Sequence, residues 1–470
     1  VIPTRGKSLW LCLLAPAIPA ILAFQNGLVA VLNTGGNFVA AHTIRKVSHE
    51  GVGYSVVDLN DVRHVFAAAV PRHGRTLRQQ ADDALRTIEA VIQEEGTRGS
   101  IVQQAVFVAD FSEIDECRNI IRDFYGDELP VTSYIPQPPC QGNLLAIEAL
   151  GVGRGRGEVE IQRHSEQLVV ARHNNIAWVH CAQLVPQAQT AGVYQDANRA
   201  LEQVRGLLAG VGVRFDQVIR TWLYLGGIVE KEGPVQRYQE LNRARADFYR
   251  DIRFLDGRLP QGQHGPVFPA STGIGTDGRA MMISAIALAT DRQDILAVPL
   301  ENPRQTSAYD YSARYSPESP QFSRAMALSC GTYATIFISG TASITNSETR
   351  HVGNAAAQTG ETLDNIAALV CEQNLCRHGL PGLGTTLDSL ALVRVYIKRQ
   401  ADYAATRAVC EKRLGEVPTI YALADVCRPE LLVEIEAIAF SRKASAASPN
   451  APHFSVQDLR PTIPEGEETA

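Results

Sequence analysis

The chain writes one pattern three times. ALRTIEAVI begins at Ala84, ALEQVRGLL at Ala200 and TLDNIAALV at Thr362. In each copy apolar residues recur at i, i+3, i+6 and i+7, as in Leu85, Ile88, Val91 and Ile92; that spacing lays them along one face of an amphipathic helix. A short apolar run with β-type residues follows each helix: VFVADF from Val106, RTWLYLG from Arg220 and LVRVYIK from Leu392. Next come a second helical stretch (IDECRNIIRDFYG, RYQELNRARADFY, YAATRAVCEKRLG), a proline (Pro130, Pro269, Pro418) and a closing extended pair that ends in NLLAIEAL, AMMISAIAL or LLVEIEAIA. The pattern predicts an α+β protein of three tandem β-α-β-α-β-β units.

Length agrees. A prior of roughly 150 residues per domain divides 470 residues into about three. The predicted units span 36–153, 158–297 and 327–442. GVGRGRG (Gly151–Gly157) serves as the first linker, and 298–326 as a second, ordered one with four tyrosines or phenylalanines, three arginines and four prolines. The literal G-x-G-x-x-G match, GIGTDG at Gly273–Gly278, runs into an apolar strand and not a helix, so it predicts a hairpin turn and no dinucleotide site. Residues 443–470, rich in Ala, Ser, Pro and Glu, predict a tail.

Residues 1–35 stand apart. Arg5 and Lys7 precede the apolar stretch 9–24, the layout of a secretory signal; the other reading is translated sequence outside the folded protein. About sixteen residues with two prolines are too short for a stable membrane span. Nine scattered cysteines without a CxxC favour a reducing, cytoplasmic setting, a placement that the signal-like segment leaves open. A net charge of −6 gives no general attraction to phosphate backbones, so nucleic acid is not an expected partner. No spacing of His and Cys suits a metal, and no motif calls for a cofactor.

In LLVEIEAIA, alternation puts Leu431, Val433, Ile435 and Ala437 on one face, suited to packing under helices. Glu434 and Glu436 fall on the other, together with Leu432 and Ile438. The equivalent strands carry Glu148 and Ser284. Two readings remain for these acids: solvated strand residues, or carboxylates turned toward an interior lined by sheets. Cys427, seven residues before Glu434, is either a small buried thiol or a site residue.

The three-fold pattern resembles the Rid (YjgF-type) superfamily, with FISGTASI, QTGETLDNIAAL and VEIEAIA in the third copy as its clearest marks. Residues 160–445 further resemble the chorismatases through RTWLYL, PASTGIG, NPRQTSAYDYSARYSPESPQFSRA, SGTASI and ADVCRPELLVEIE, in that order. The resemblance implies sheets that meet centrally with helices outside, so three copies in one chain form an intramolecular pseudo-trimer and a monomer. It also implies release of pyruvate from chorismate, a small cyclic carboxylate, without a cofactor.

By the same resemblance Glu434 is the acid that protonates the enolpyruvyl methylene, and Cys427 with Gly340 marks the 3-hydroxybenzoate-forming type, where the dihydrodiol-forming type has alanines. Thr341 joins Gly340 in the SGTAS motif, and Arg314, Arg324, Tyr309 and Tyr315 are candidates for holding a dicarboxylate or, alternatively, linker side chains. Glu318 departs from the basic residue that chorismatases have there. Two rival functions are enamine or imine deamination and non-catalytic metabolite binding. Deaminases of the superfamily place an arginine two residues beyond the penultimate-strand proline; this chain has Thr132, Ser271 and Ile420.

Overall fold

Short alternating strands ahead of each repeated helix complete three six-stranded sheets. The computed structural model describes residues 44–49, 51–95, 100–155, 157–186, 192–263, 265–312 and 318–443. All of these belong to one unit, Thr43–Ala470; the signal-like segment and the tail beyond Lys443 lie outside the described residues. The first sheet and its helices comprise β1 (Ile44–His49), β2 (Val52–Leu59), β3 (Val62–Ala69), α1 (Leu77–Glu94), β4 (Ile101–Val108), α2 (Ile114–Tyr125), β5 (Val131–Pro136) and β6 (Leu145–Arg154). The second has β7 (Glu160–Ser165), β8 (Leu168–His173), β9 (Ile176–Leu184), α3 (Val193–Gly210), β10 (Val218–Gly226), β11 (Lys231–Glu232), β12 (Val235–Gln236), α4 (Arg237–Tyr249), β13 (Ala270–Thr276) and β14 (Met281–Ala289). The third has β15 (Ile295–Leu300), β16 (Ala325–Cys330), β17 (Tyr333–Ala342), β18 (Ile344–Thr345), β19 (Glu348–Thr349), α5 (Ala355–Val370), α6 (Glu372–Arg377), β20 (Leu390–Ile397), α7 (Tyr403–Leu414), β21 (Thr419–Leu423) and β22 (Val433–Arg442).

The strand orders coincide: β1-β2-β3-β6-β4-β5, β7-β8-β9-β14-β10-β13 and β15-β16-β17-β22-β20-β21. The expected β-α-β-α-β-β unit is therefore short by two strands at its start. Turn chemistry accounts for them. Asn60-Asp61 and Asn174-Asn175 hold positive φ at both residues, the two-residue geometry that closes a hairpin, and Gly331 does the same work between β16 and β17.

Three further expectations change. Gly151–Gly153 belong to β6, paired with β3, and are not linker. β15 starts at Ile295, inside the range expected for the second unit, and pairs with β16 of the third sheet. GIGTDG does not make a hairpin: β13 pairs parallel with one side of β10 and β14 antiparallel with the other, so the connection crosses the end of β10.

Each sheet packs its helices on one face, as the repeated stripes require. Leu85, Ile88 and Ile92 are buried with Ile120 and Ile121 against the first sheet, and Leu363, Ile366 and Leu369 lie with Ile435 and Ala437 against the third. The opposite faces meet one another in a shared core containing Phe66 and Phe107 of the first sheet, Trp222 and Ile286 of the second, and Phe337 and Phe440 of the third. Hydrogen bonds tie the sheets pairwise. Tyr134 N donates to Gln183 Oε1 at 2.8 Å, Ser271 N to Ser339 Oγ at 2.9 Å, and Ser55 Oγ to the Ala391 carbonyl at 2.6 Å. No helix among the described residues is long and apolar enough to cross a membrane.

Candidate active site

Where β13 of the second sheet docks beside β17 of the third, a bulge opens the ladder. Ile338 pairs with Ala437 and Thr341 with Ile435, which leaves Ser339 and Gly340 together opposite Glu436. Both freed residues bond to the neighbouring sheet or its approach. Ser339 Oγ donates to the Ser323 carbonyl at 2.6 Å while accepting from Ser271 N, and Gly340 N donates to Thr272 Oγ1 at 2.9 Å. Above this joint lies a cavity of about 450 Å³. Its walls come from α4, β13, β17 and the loop that leads into β22.

Glu434 projects from β22 into this cavity. Only 5% of the residue is exposed, and its carboxyl makes no hydrogen bond or ion pair with any described residue. Burial first, and the neighbouring Glu436 second, push its pKa up to about 8 against the opposing Arg220 and Arg324. At neutral pH it is a carboxylic acid with a proton to give.

Glu436, two residues on, is the reverse case. It accepts from Arg220 Nη2 at 2.7 Å and Trp222 Nε1 at 2.8 Å, and Arg394 Nη1 stands 3.0 Å away. Burial works against its charge, yet the two guanidiniums hold its carboxyl below the ordinary range. One strand thus presents an acid and a carboxylate side by side.

Two guanidiniums complete the cavity. Arg245 of α4 donates to Asn242 Oδ1 at 2.9 Å, with Nη1 3.5 Å from Ser271 Oγ; Arg324 donates to the Thr306 carbonyl at 2.8 Å and Tyr311 Oη at 2.6 Å. They are 1% and 3% exposed, each has an unpartnered Nε, and neither forms an ion pair with a described carboxylate. A buried cation without a counter-ion is costly, so the arrangement favours an anion entering the cavity. Cys427 also lines the wall, and burial followed by Glu434 pushes its thiol up to about 12. It is a neutral thiol, not a nucleophilic thiolate, near pH 7.

Of the residues singled out from sequence, Glu434, Cys427, Gly340 and Arg324 come together here. Thr341 does not. The bulge shifts the alternation by one, so Thr341 pairs with Ile435 of the helix-packed face and its hydroxyl turns to the Ser339 carbonyl at 2.9 Å. Tyr309 packs on Phe268 with ring centres 5.6 Å apart, and Tyr311 is the tyrosine of this segment that lines the cavity. Arg314 and Tyr315 lie outside the described residues. Glu318 is exposed and absent from the lining, and Glu148 is bound to Arg394.

Sequence reasoning missed Tyr238, Asn242 and Arg245. Their i, i+4, i+7 spacing was a usable signal. The equivalent buried stripe holds Cys117, Ile120 and Ile121 in α2 and Thr406, Cys410 and Leu414 in α7, whereas α4 turns polar groups inward.

Fold and cavity together define a protein that offers a buried acid and two unpaired guanidiniums to a small anionic molecule. A family model described as "Chorismatase FkbO/Hyg5-like, N-terminal" matches residues 154–287. A 3-hydroxybenzoate synthase of Streptomyces hygroscopicus is 32% identical over 282 residues, covering 58% of this chain and 77% of that protein. A chorismatase of Streptomyces rapamycinicus is 33% identical over 275 residues, 57% of this chain and 77% of that protein. The chain belongs to the chorismatase family. A crystal structure of a chorismatase shares the fold, with a TM-score of 0.57 and 23% identity over 73% of this chain and 93% of that one. That match is longer than residues 158–442, so part of the first sheet's region is included in the shared fold.

Proposed function

We propose that this protein releases pyruvate from chorismate, with Glu434 as general acid, inside a chain whose three sheets close on one another as an intramolecular pseudo-trimer. Its three units are 44–154, 160–289 and 295–442, each a six-stranded sheet with its helices. The observation that carries the reading is the buried Glu434, without a hydrogen bond or ion pair among the described residues, in one cavity with two guanidiniums that form no ion pair with a described carboxylate. Chorismate is a dicarboxylate with an enol ether, so it supplies both what the cations lack and what the acid can protonate.

Proton transfer from Glu434 to the enolpyruvyl methylene leaves an oxocarbenium-like carbon and a carboxylate. The new negative charge falls within the field of Arg220 and Arg324, which lower the carboxyl's proton affinity. Capture by water and loss of pyruvate gives a dihydrodiol and consumes one water. Formation of 3-hydroxybenzoate with pyruvate is isomeric with chorismate and consumes none. Gly340 and Cys427 match the second type, and the relative named 3-hydroxybenzoate synthase supports it.

Purified protein mixed with chorismate decides the matter: pyruvate together with 3-hydroxybenzoate is expected. A dihydrodiol would overturn the product assignment but leave pyruvate release intact. Faster hydrolysis of 2-iminopropionate would instead favour deamination, for which Arg245 beside Ser271 offers a carboxylate clamp where the strand arginine is missing. Tight binding of chorismate without turnover would favour a metabolite-binding role.

A further inference from the structure

Five side chains from all three sheets converge beneath the cavity floor without lining it. Arg394 of β20 donates to both oxygens of Glu148 of β6 at 2.6 Å each, and its Nη1 reaches Glu436 Oε1 at 3.0 Å. Arg220 of β10 donates to the other Glu436 oxygen and, at 2.6 Å, to Thr272 Oγ1. Thr272 in turn accepts from the backbone of Gly340, which lies directly under Glu434. Two cations and two anions, all at most 8% exposed, balance to zero.

We propose that Glu148 and Arg394 are positioning residues of the Glu434 site: Glu148, from the first sheet, sets how much of the Arg394 charge falls on Glu436 and, through Glu436, on Glu434. This rests on Glu434 being the acid. With Glu148 in place, Arg394 is neutralised from its far side, and Glu436 keeps enough negative field to hold the proton on its neighbour. Without it, an unbalanced guanidinium pulls that proton off. The other charged or titratable groups that neighbour Glu434 or line its cavity are Arg220 from β10, Tyr396 from β20, Arg324 and Tyr311 from the segment before β16, Tyr238 and Arg245 from α4, Glu348 from β19, and Cys427, Arg428 and Glu430 from the loop before β22. None of them is changed by substitution at 148 or 394. The charge on the first sheet is thereby an electrostatic part of a cavity it never touches.

The test follows the protonated-carboxyl infrared band of Glu434 against pH, identified by its disappearance in Glu434→Gln, in parallel with the pH profile of pyruvate release. Glu148→Gln should move the midpoint of both downward, on the order of one pH unit for one uncompensated charge nearby. Arg394→Met should move them upward, and the double variant Glu148→Gln/Arg394→Met should return them toward the parent. A double variant no closer to the parent than either single change overturns the proposal, as does an unmoved midpoint in a folded Glu148→Gln protein. Should Glu148→Gln fail to fold, Arg394→Met and the charge-neutral double variant still decide. Absence of chorismate turnover would count against the function proposed above, while the infrared titration would still test this inference.

Discussion

Gly340 sits so close under Glu434 that a β-carbon at residue 340 would collide with Oε1 of the glutamate, and it would also meet Thr272 Cγ2 at 3.0 Å. The glycine therefore decides where the acid's carboxyl can lie. Gly340→Ala must push that carboxyl further into the cavity, at an overpacking cost of roughly 1–3 kcal/mol. The expected outcome is slower turnover with dihydrodiol appearing beside 3-hydroxybenzoate, more so when Cys427→Ala is added. Chromatography of the products checks it, and an unchanged ratio and rate would contradict it.

Arg245 forms no ion pair with a described carboxylate, so its charge is available to substrate. Arg245→Met should weaken the binding of a dicarboxylate by about 10- to 100-fold, from the roughly 1.5–3 kcal/mol of a hydrogen bond to a charged group. Calorimetry on the Glu434→Gln background reads this without turnover. Equal affinity in the two proteins would place the carboxylate elsewhere.

Burying Glu434 with its proton costs stability as pH rises. The folded protein keeps that proton up to about pH 8, whereas an unfolded glutamate releases it near 4.5, so between those values the native state binds more protons than the unfolded one. This contribution to stability is present below about 4.5 and declines through the window to 8. Glu434→Gln removes the linkage. Its stability relative to the parent should rise from pH 5 to pH 8 in denaturant titrations, and a flat difference would show that the carboxyl titrates normally.

How much of this was legible in the sequence differs between helices and strands. The apolar stripes of Leu85–Ile92, Leu201–Leu208 and Leu363–Val370 located α1, α3 and α5, because helix burial repeats over many residues. Alternation likewise put Glu434 and Glu436 on the inner face. Thr341 was named from the SGTAS motif alone, and a motif does not say which way a side chain turns; the bulge at Ser339 and Gly340 sets Thr341 opposite Ile435 on the helix-packed face. Tyr311 was not separable from Tyr309, because the segment before β16 has no period to say which tyrosine points inward. Arg245 needed α4 to be set against α2 and α7, where the same stripe is mostly apolar.

A chain that supplies three sheets to one core does not need copies of itself to bury that core. Light scattering behind a sizing column should give the mass of one chain, about 51 kDa. A stable trimer would mean that the sheets of different chains close on one another.

The most direct measurement is pyruvate release from chorismate in heavy water by the parent and by Glu434→Gln across pH 6 to 9. If Glu434 is the proton donor, the parent's pyruvate carries one deuterium in its methyl group and its rate falls as pH rises through about 8. Glu434→Gln, which keeps the shape but has no proton to transfer, should lose about 10²–10⁴-fold in rate while still binding chorismate. A Glu434→Gln protein that releases pyruvate at the parent's rate, or a parent rate indifferent to pH over that range, would contradict the assignment of the acid.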